Sequence, residues 1–551
     1  MSSDPSSPHK LDVCSQYNLN KTQQIMNKHS ALTALSWRGS LRVSPDPQPE
    51  KQHRKTGIVC TIGPATNTLE MITRLRKAGM NIARLNMSHG SHAEHERVVN
   101  LIRESESLDG MAASGGRPCA IALDTKGPEI RTSKIIKTGG DYLVVTEGEE
   151  WTVGFGDESN LGFIAVDYKL LGQTVTLNST VYIDDGNLQL QVIGVVNADT
   201  VRCRALNTHN LKPGKAVNLP FAKVKLPSVS EKDVCDLQLA ARLGLDMVFA
   251  SFVRRPQDIE CIRGVLRDSP SPDPTVTLPK VIAKIENFEG LENIDAILQV
   301  ADGVMVARGD LGVELAPEKV FVAQKMIIAK ACMAGKPVIC ATQMLESMCA
   351  NPRPTRAEAT DVANAVLDGA DCVMLSAETA SGRYPDLAVS LMGAICKEAE
   401  RVISYSSLYE DLRLVSREQE LTDTIACSAV GACLHGNVAA LLVLTTSGHS
   451  ARLVAKYRPP VPIIVVTRLA QTARSLHLHR GCYPFIYPDY CQSPNEACPE
   501  TWQRDVDKRF YWAMERAIEQ GLVQRGDRVV CIQGSKGGVG YTNTMRILNI
   551  P

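Results

Sequence analysis

From Thr56 onward, short β-branched and apolar runs alternate with longer segments whose apolar residues recur at helical spacing. The runs are Ile58–Pro64, Ile82–His89, Ala120–Pro128, Met247–Phe252, Val281–Asn287, Gly303–Asp310, Pro337–Gln343 and Cys372–Glu378. Stretches such as EKVFVAQKMIIAKACMAGK and TRAEATDVANAVLDGAD between them predict helices. Near-continuous apolar strands separated by helices mean a parallel sheet covered on its faces. Eight such units favour a closed (β/α)₈ TIM barrel over the rival, a doubly wound open sheet.

The stretch 129–228 has a different texture. DYLVVTEGEEWTV, TVTLNSTVYIDDGNLQLQVI and VRCRALNTHNLKPGKAVNLP alternate at period two and carry tight-turn signals, Asp185-Gly186 among them. This predicts a small all-β domain, read as a β-barrel lid inserted in a βα loop on the face where such barrels carry their active sites. After residue 400 helices and strands alternate again, predicting a separate α/β domain over 401–551. The barrel then comprises 51–128 and 229–400, and residues 1–50 form a polar arm with one expected helix near 15–30.

The length of 551 residues is too great for one core and suggests roughly three or four domains. Lys+Arg and Asp+Glu both number 60, so no global basic field draws nucleic acid or anionic membrane, and anion recognition must be local. The 17 cysteines include no C-x-x-C pair, and several sit in apolar runs, as Cys60, Cys340 and Cys372 do. They read as free thiols in a reducing compartment. No apolar run approaches a membrane span, and MSSDPSSPHK lacks a signal peptide's apolar core, so a cytoplasmic location is expected.

Strand ends bring Arg84, Asn86, Ser88, Asp124, Thr125, Lys126, Lys284, Glu286, Arg308, Asp310, Thr342, Ser376 and Glu378 to one rim. Any one alone is commonly a solvated or capping strand end. Charged groups gathered on one rim repel or stay costly unless a ligand or metal joins them. Alternation turns Lys284 and Glu286 the same way, inward, with Asp310 ending the next strand. Two carboxylates a strand apart suit Mg²⁺ or Mn²⁺, the competing reading being a plain Lys284–Glu286 ion pair. Asn86, Ser88, Asp124 and Thr125 offer oxygens for a weakly charged cation, and Arg84, Lys126 and Lys284 add positive charge. Such a set fits phosphoryl transfer. No P-loop or post-strand G-x-G-x-x-G is present. His89, His92 and His95 read as a solvated first helical turn, not a metal site. In the last domain Thr445, Thr446, Ser447, Gly448 and Ser450 lead into a helix N-terminus. That suits phosphate or ordinary capping, and the Gly534–Tyr541 loop adds Lys536, Gly538 and Gly540.

TGIVCTIGPA, MNIARLNMSHG, LDTKGPEIRT, AKIENFEG, DGVMVARGDLGVE, AGKPVICATQMLESM, PRPTRAEATDVANAVLDGADCVMLSAETA and YTNTMR resemble the pyruvate kinase family over nearly the whole chain from Thr56. The resemblance implies phosphate transfer from phosphoenolpyruvate to ADP, the last step of glycolysis. It implies a Mg²⁺ or Mn²⁺ ion on Glu286 and Asp310, and K⁺ on Asn86, Ser88, Asp124 and Thr125, with Glu129 in the form of K⁺-dependent members. Lys284 and Arg84 are implied at the phosphoryl group, with Gly309, Asp310 and Thr342 at the substrate carboxylate. Thr342 and Ser376 are implied on a proton path, and Asn86, His89, Arg131 and Lys215 at the nucleotide. It further implies a homotetramer binding fructose 1,6-bisphosphate through Thr445, Thr446, Ser447, Ser450, Trp502, Arg509, Lys536, Gly538 and Gly540. The chain departs from the family at His449, where Arg is common, and at GSKGGVG, where a Trp-Arg-Pro-Gly-Ser-Gly loop is usual. Phe221, Lys225 and Ala377 stand where Gly, Asp and Gly are usual, and are expected to alter lid motion.

Overall fold

The computed structural model describes residues 41, 53–108, 118–137, 141–269, 277–415, 420–488, 499–536 and 540–551. The arm helix expected near 15–30, and Gly538, lie outside the described residues.

Eight parallel strands close into a barrel: β1 (Gly57–Thr61), β2 (Ile82–Asn86), β3 (Ala120–Asp124), β4 (Met247–Ala250), β5 (Lys280–Ile285), β6 (Gly303–Ala307), β7 (Val338–Ala341) and β8 (Cys372–Leu375). Each pairs with its sequence neighbours, and β8 closes on β1 with Gly57 opposite Cys372. Both faces of every strand are buried, as the continuous apolar runs require. Inward residues, among them Val59, Ile82, Ala122, Phe249, Ile282, Met305, Ile339 and Met374, fill the interior. Outward residues such as Ile58, Leu85, Leu123, Ile285 and Val306 pack beneath the helices. Leu478, from the C-terminal domain, joins the interior cluster and plugs the mouth where the strands begin. The helices start where capping chemistry places them. Thr355 accepts from Glu358 N at 3.2 Å while the Glu358 carboxylate accepts from Thr355 N at 2.7 Å, a reciprocal cap over Arg356–Asp368.

The insertion between β3 and β4 is a seven-stranded sheet, in the order 130–131, 216–218, 180–183, 188–195, 200–205, 150–155 and 163–166, with two small two-stranded sheets. Its first and last strands meet through the bridge between Thr132 and Val166, which wraps the sheet round its own core of Val153, Val181, Leu190 and Val201. Asp184, Asp185 and Gly186 all take positive φ in the hairpin tip, the turn that Asp-Gly predicted.

The C-terminal part is a five-stranded sheet in the order 482–486, 463–467, 440–444, 528–534 and 542–549, parallel except for the last strand. Separate apolar clusters cover its two faces. It is fastened to the barrel by buried ion pairs. Arg458 clasps Asp371 with two bonds of 2.6 and 2.8 Å, and Arg474 reaches Asp246 at 2.7 Å. Two short helices matter for the site: α1 (Phe288–Glu292) follows β5, and α2 (Arg308–Glu314) follows β6. Among the described residues no helix is long and apolar enough to cross a membrane.

Candidate active site

Lys284 shares its inward parity with Ile282, so β5 lifts the ammonium from the apolar interior to the C-terminal rim. There Lys284 donates to Ser251 Oγ at 2.7 Å and to Asp124 Oδ1 at 3.1 Å, and lies 2.9 Å from Glu286 Oε1. The ion pair weighed from sequence therefore exists, within a larger cluster. Asp124 Oδ2 accepts from Arg84 Nε at 2.6 Å, and Arg84 Nη1 donates to Thr61 Oγ1 at 2.9 Å. Five neighbouring strands thus converge, and every charged member of the cluster is at least nine-tenths buried.

Burial opposes the charge on Lys284, but Asp124 and then Glu286 outweigh it and hold the ammonium charged well beyond neutral pH. Burial likewise pushes Asp124 up, and Arg84 and Lys284 overcome it, leaving that carboxyl below its usual range. Glu286 moves the other way. Burial raises it, Lys284 opposes, and the Asp310 carboxyl reinforces the rise. Asp310 is also raised by burial, despite Lys284, with Glu129 and Asp185 adding repulsion and a hydrogen bond joining it to Glu286. Since Lys284 is already committed to Asp124, one cation faces too many carboxylates.

That surplus is the test for a divalent ion. Two buried carboxyls whose proton affinity burial and mutual repulsion raise are relieved by a hard cation, which oxygen ligands suit. Among the described residues no cluster of three or more His, Cys, Asp or Glu ligands exists, so Glu286 and Asp310 leave most positions to water and substrate oxygens. Glu286 is aimed by Phe252, whose backbone N–H donates to Oε2 at 2.5 Å from a left-handed residue of φ +55°.

Across the mouth, Thr342 and Gln343 also take positive φ, +74° and +54°. Strained backbone of this kind persists only where its surroundings hold it. Arg308 does so, donating to Thr342 O at 2.7 Å while its Nη1 pairs with Asp361 at 2.6 Å. Gly309 lies so close that a Cβ there would stand 2.9 Å from Thr342 Cγ2. A cavity of about 720 Å³ joins Arg308, Gly309, Asp310, Thr342 and Gln343 to Asp185 from the tip of the inserted domain. A second, of about 550 Å³, lies on the neighbouring arc and is lined by Arg84, Asn86, His89 and Ser376.

The remaining expected residues divide. Asn86 and Asp124 face each other in register, with Thr125 adjoining, while Ser88 is exposed two residues past β2. Their oxygens already have protein donors: Asn86 Oδ1 accepts from Ser88 N at 3.1 Å, and Thr125 Oγ1 accepts from Ser251 N at 3.1 Å. Arg131 and Lys215 are neighbours at the base of the insertion, but they are engaged there. Arg131 donates to Glu129 Oε2 at 2.7 Å and Lys215 pairs with Asp184 at 2.8 Å, so neither lines the cavity that holds His89. His92 pairs with Asp236 at 2.6 Å and His95 donates to His89 O at 2.8 Å. The described cysteines are free, and most are buried. Ser251, Thr61 and Phe252 were not singled out from sequence. The Ser ending the apolar run MVFAS was the one available signal.

In the C-terminal domain Thr445, Thr446, Ser447, Ser450, Trp502, Arg509, Lys536 and Gly540 line one small cavity of about 50 Å³ with His449, Gln533 and Thr542. Arg509 lies over the Trp502 ring at 5.2 Å and pairs with Asp505 at 2.7 Å, Lys536 lies over Tyr541 at 4.1 Å, and His449 is paired with Glu420.

A parallel barrel with an acid pair, a lysine and an arginine at its mouth, and an inserted β domain whose tip reaches the same cavity, is the kind of site that suits a phosphotransferase. The family model described as "Pyruvate kinase, barrel domain" matches residues 53–389, and "Pyruvate kinase, alpha/beta domain" matches 423–548. The pyruvate kinase of Agaricus bisporus is 49% identical over 528 residues, 94% of this chain and 96% of that protein. Those of Candida albicans and Hypocrea jecorina are 45% and 47% identical, covering 94% and 96% of this chain and 99% and 97% of their own length. The chain belongs to the pyruvate kinase family.

Proposed function

We propose that this protein transfers the phosphoryl group of phosphoenolpyruvate to ADP, giving pyruvate and ATP. The observation that carries this reading is the buried Lys284 ammonium beside the crowded Glu286 and Asp310 carboxyls on one barrel rim. In this reading Glu286 and Asp310 hold Mg²⁺ or Mn²⁺, which when bound supplies Lewis-acid neutralisation of substrate oxygens. The Gly309–Asp310 backbone and the Thr342 hydroxyl take the substrate carboxylate. Arg84 contacts the phosphoryl oxygens. As the bond from phosphorus to the enol oxygen breaks, a bond to a β-phosphate oxygen of ADP forms, and Lys284 stabilises the enolate left behind. A proton delivered to the enolate carbon between Thr342 and Ser376 completes pyruvate.

Asn86, Ser88, Asp124 and Thr125 hold K⁺, whose arrival requires Asn86 and Thr125 to share their oxygens. Asn86, His89, Arg131 and Lys215 meet the nucleotide. Arg131 and Lys215 must exchange Glu129 and Asp184 for phosphate, so the inserted domain, over 129–228, moves as a lid when nucleotide binds. The C-terminal cavity takes fructose 1,6-bisphosphate. Hydroxyls, the His449 ring and the cations Arg509 and Lys536 line it, and among the described residues no carboxylate does, which supports an anion. The enzyme works as a cytoplasmic homotetramer.

A coupled assay for pyruvate from phosphoenolpyruvate and ADP tests the reaction. Activity is expected only with a divalent metal, and to rise with K⁺. No turnover with both ions present rejects it. Fructose 1,6-bisphosphate in the same assay should lower the half-saturating phosphoenolpyruvate concentration, and an unchanged value removes the effector reading.

A further inference from the structure

The inserted domain returns to the barrel through residues 219–229, and most of that linker is tied down. Arg254, beyond β4, donates to Val224 O at 2.9 Å and to Leu226 O at 2.8 Å. Lys225 N donates to the Tyr168 hydroxyl of the inserted domain at 3.0 Å. Ahead of that segment the turn Leu219–Ala222 belongs to the inserted domain, with Leu219 in its core and Ala222 against it, and is closed by Ala222 N donating to Leu219 O at 3.1 Å. Pro220 is its second residue and Phe221 its third, with φ +62°. Positive φ at the third position behind a proline is the type II arrangement. That position favours glycine because a Cβ crowds the neighbouring carbonyl. A phenylalanine there is strained, so a contact must hold it.

That contact is Phe288. The two rings lie 5.1 Å apart at 68°, an edge-to-face pair, although Phe221 is 59% exposed. Phe288 packs against the barrel core and opens α1, two residues after Glu286. At the other end of α1 Glu292 pairs with Lys223 at 3.8 Å. The domain so held rests on α2, the helix that carries Asp310. Its Asn218 hydrogen-bonds Glu314, and its tip residue Asp185 lines the cavity with Asp310 and Thr342.

We propose that the Phe221–Phe288 ring pair is a latch that holds the inserted domain down over the active-site mouth, with Phe221 a positioning residue acting through the turn. The proposal rests on the reading of that domain as the cover of the nucleotide site. The full-length enzyme is tested as Phe221→Gly and Phe221→Asn, which suit positive φ and lack the ring, and as Phe221→Tyr, which keeps it. Hydrogen exchange reports the latch directly, and steady-state kinetics report its consequence. Loss of the ring should speed exchange across 216–229 and raise KM for ADP about fivefold with kcat within about twofold, the pattern of lost uniform binding. Phe221→Tyr should restore both. Phe288→Leu, which keeps an apolar side chain against the barrel core, should match Phe221→Gly, and combining the two should change neither readout further, because one ring contact is lost once. Unchanged exchange in both ring-less variants, or additive effects in the pair, overturns the latch. Faster exchange with unchanged KM keeps the latch and removes the cover reading instead.

Discussion

Gly309→Ala isolates one close approach at the heart of the site. The added Cβ would stand 2.9 Å from Thr342 Cγ2, but at ordinary distances of 3.7 and 3.8 Å from Thr342 Cβ and Oγ1. It falls roughly half an ångström or more short of normal carbon contact with a single methyl. Thr342 cannot yield freely, since its φ is +74° and its carbonyl is held by Arg308 at 2.7 Å. Overpacking of this kind costs about 1–3 kcal/mol. Alanine in a helix returns up to about 1 kcal/mol over glycine, and Gly309 lies in the first turn of α2, so the melting temperature should fall by only a few degrees. Activity should suffer more. The displaced atoms neighbour Asp310, and because an error near 1 Å costs about 100-fold, a shift of about half that predicts roughly a tenfold loss of kcat. Thr342→Ser removes Cγ2 and keeps the hydroxyl. The double variant should therefore recover most of the tenfold, a coupling of about 1.4 kcal/mol. Pyruvate production coupled to lactate dehydrogenase, read beside a thermal melt, measures both quantities. Wild-type kcat in Gly309→Ala, or a double variant no faster than the single, refutes the reasoning.

Lys284→Met should leave the circular dichroism spectrum intact and lower kcat by about 10²–10³, the loss typical of one electrostatic stabiliser, and a smaller loss would remove Lys284 from the reacting centre. Glu314 is pushed up to about 7 by burial, with only Asn218 bonding in opposition. An unfolded glutamate titrates near about 4.3, so between those values the folded state binds the extra proton, and stability falls as pH rises toward 7. Glu314→Gln should flatten the fall in melting temperature between pH 5 and pH 8, and an unaltered slope would show that Glu314 is not its source. Arg458→Met leaves the Asp371 carboxylate buried with backbone partners, Val338 N at 3.1 Å and Arg480 N at 3.0 Å. It should cost about 3–5 kcal/mol by denaturant titration, with Asp371→Asn in the same chain recovering part of the loss.

Parity made much of the site legible in advance. A strand's alternation turned Lys284 and Glu286 inward together once eight runs implied a barrel, and RGD placed Asp310 on the adjacent strand end. Parity says nothing about partners. Ser251 and Thr61 belong to other strands, and their bonds to Lys284 and Arg84 exist because closure of the barrel sets those strand ends side by side. Phe252 aims Glu286 through a left-handed backbone angle that its residue type disfavours, and no local rule foretells it. Arg131 and Lys215 could be assigned positive charge from sequence, but not their engagement with Glu129 and Asp184.

What the sequence by itself determined is the set of elements and the side each residue faces, since periodicity is local and a change of period from 3.6 to 2 is written in consecutive residues. The tertiary structure alone decided the long-range closures: the Thr132–Val166 bridge of the inserted sheet, Leu478 in the barrel mouth, Asp371 within the grasp of Arg458, and Phe221 against Phe288. It also decided the charge balance of the site. A carboxyl's proton affinity depends on burial and on every charge within a few ångströms, and those neighbours come from strands far apart in the chain.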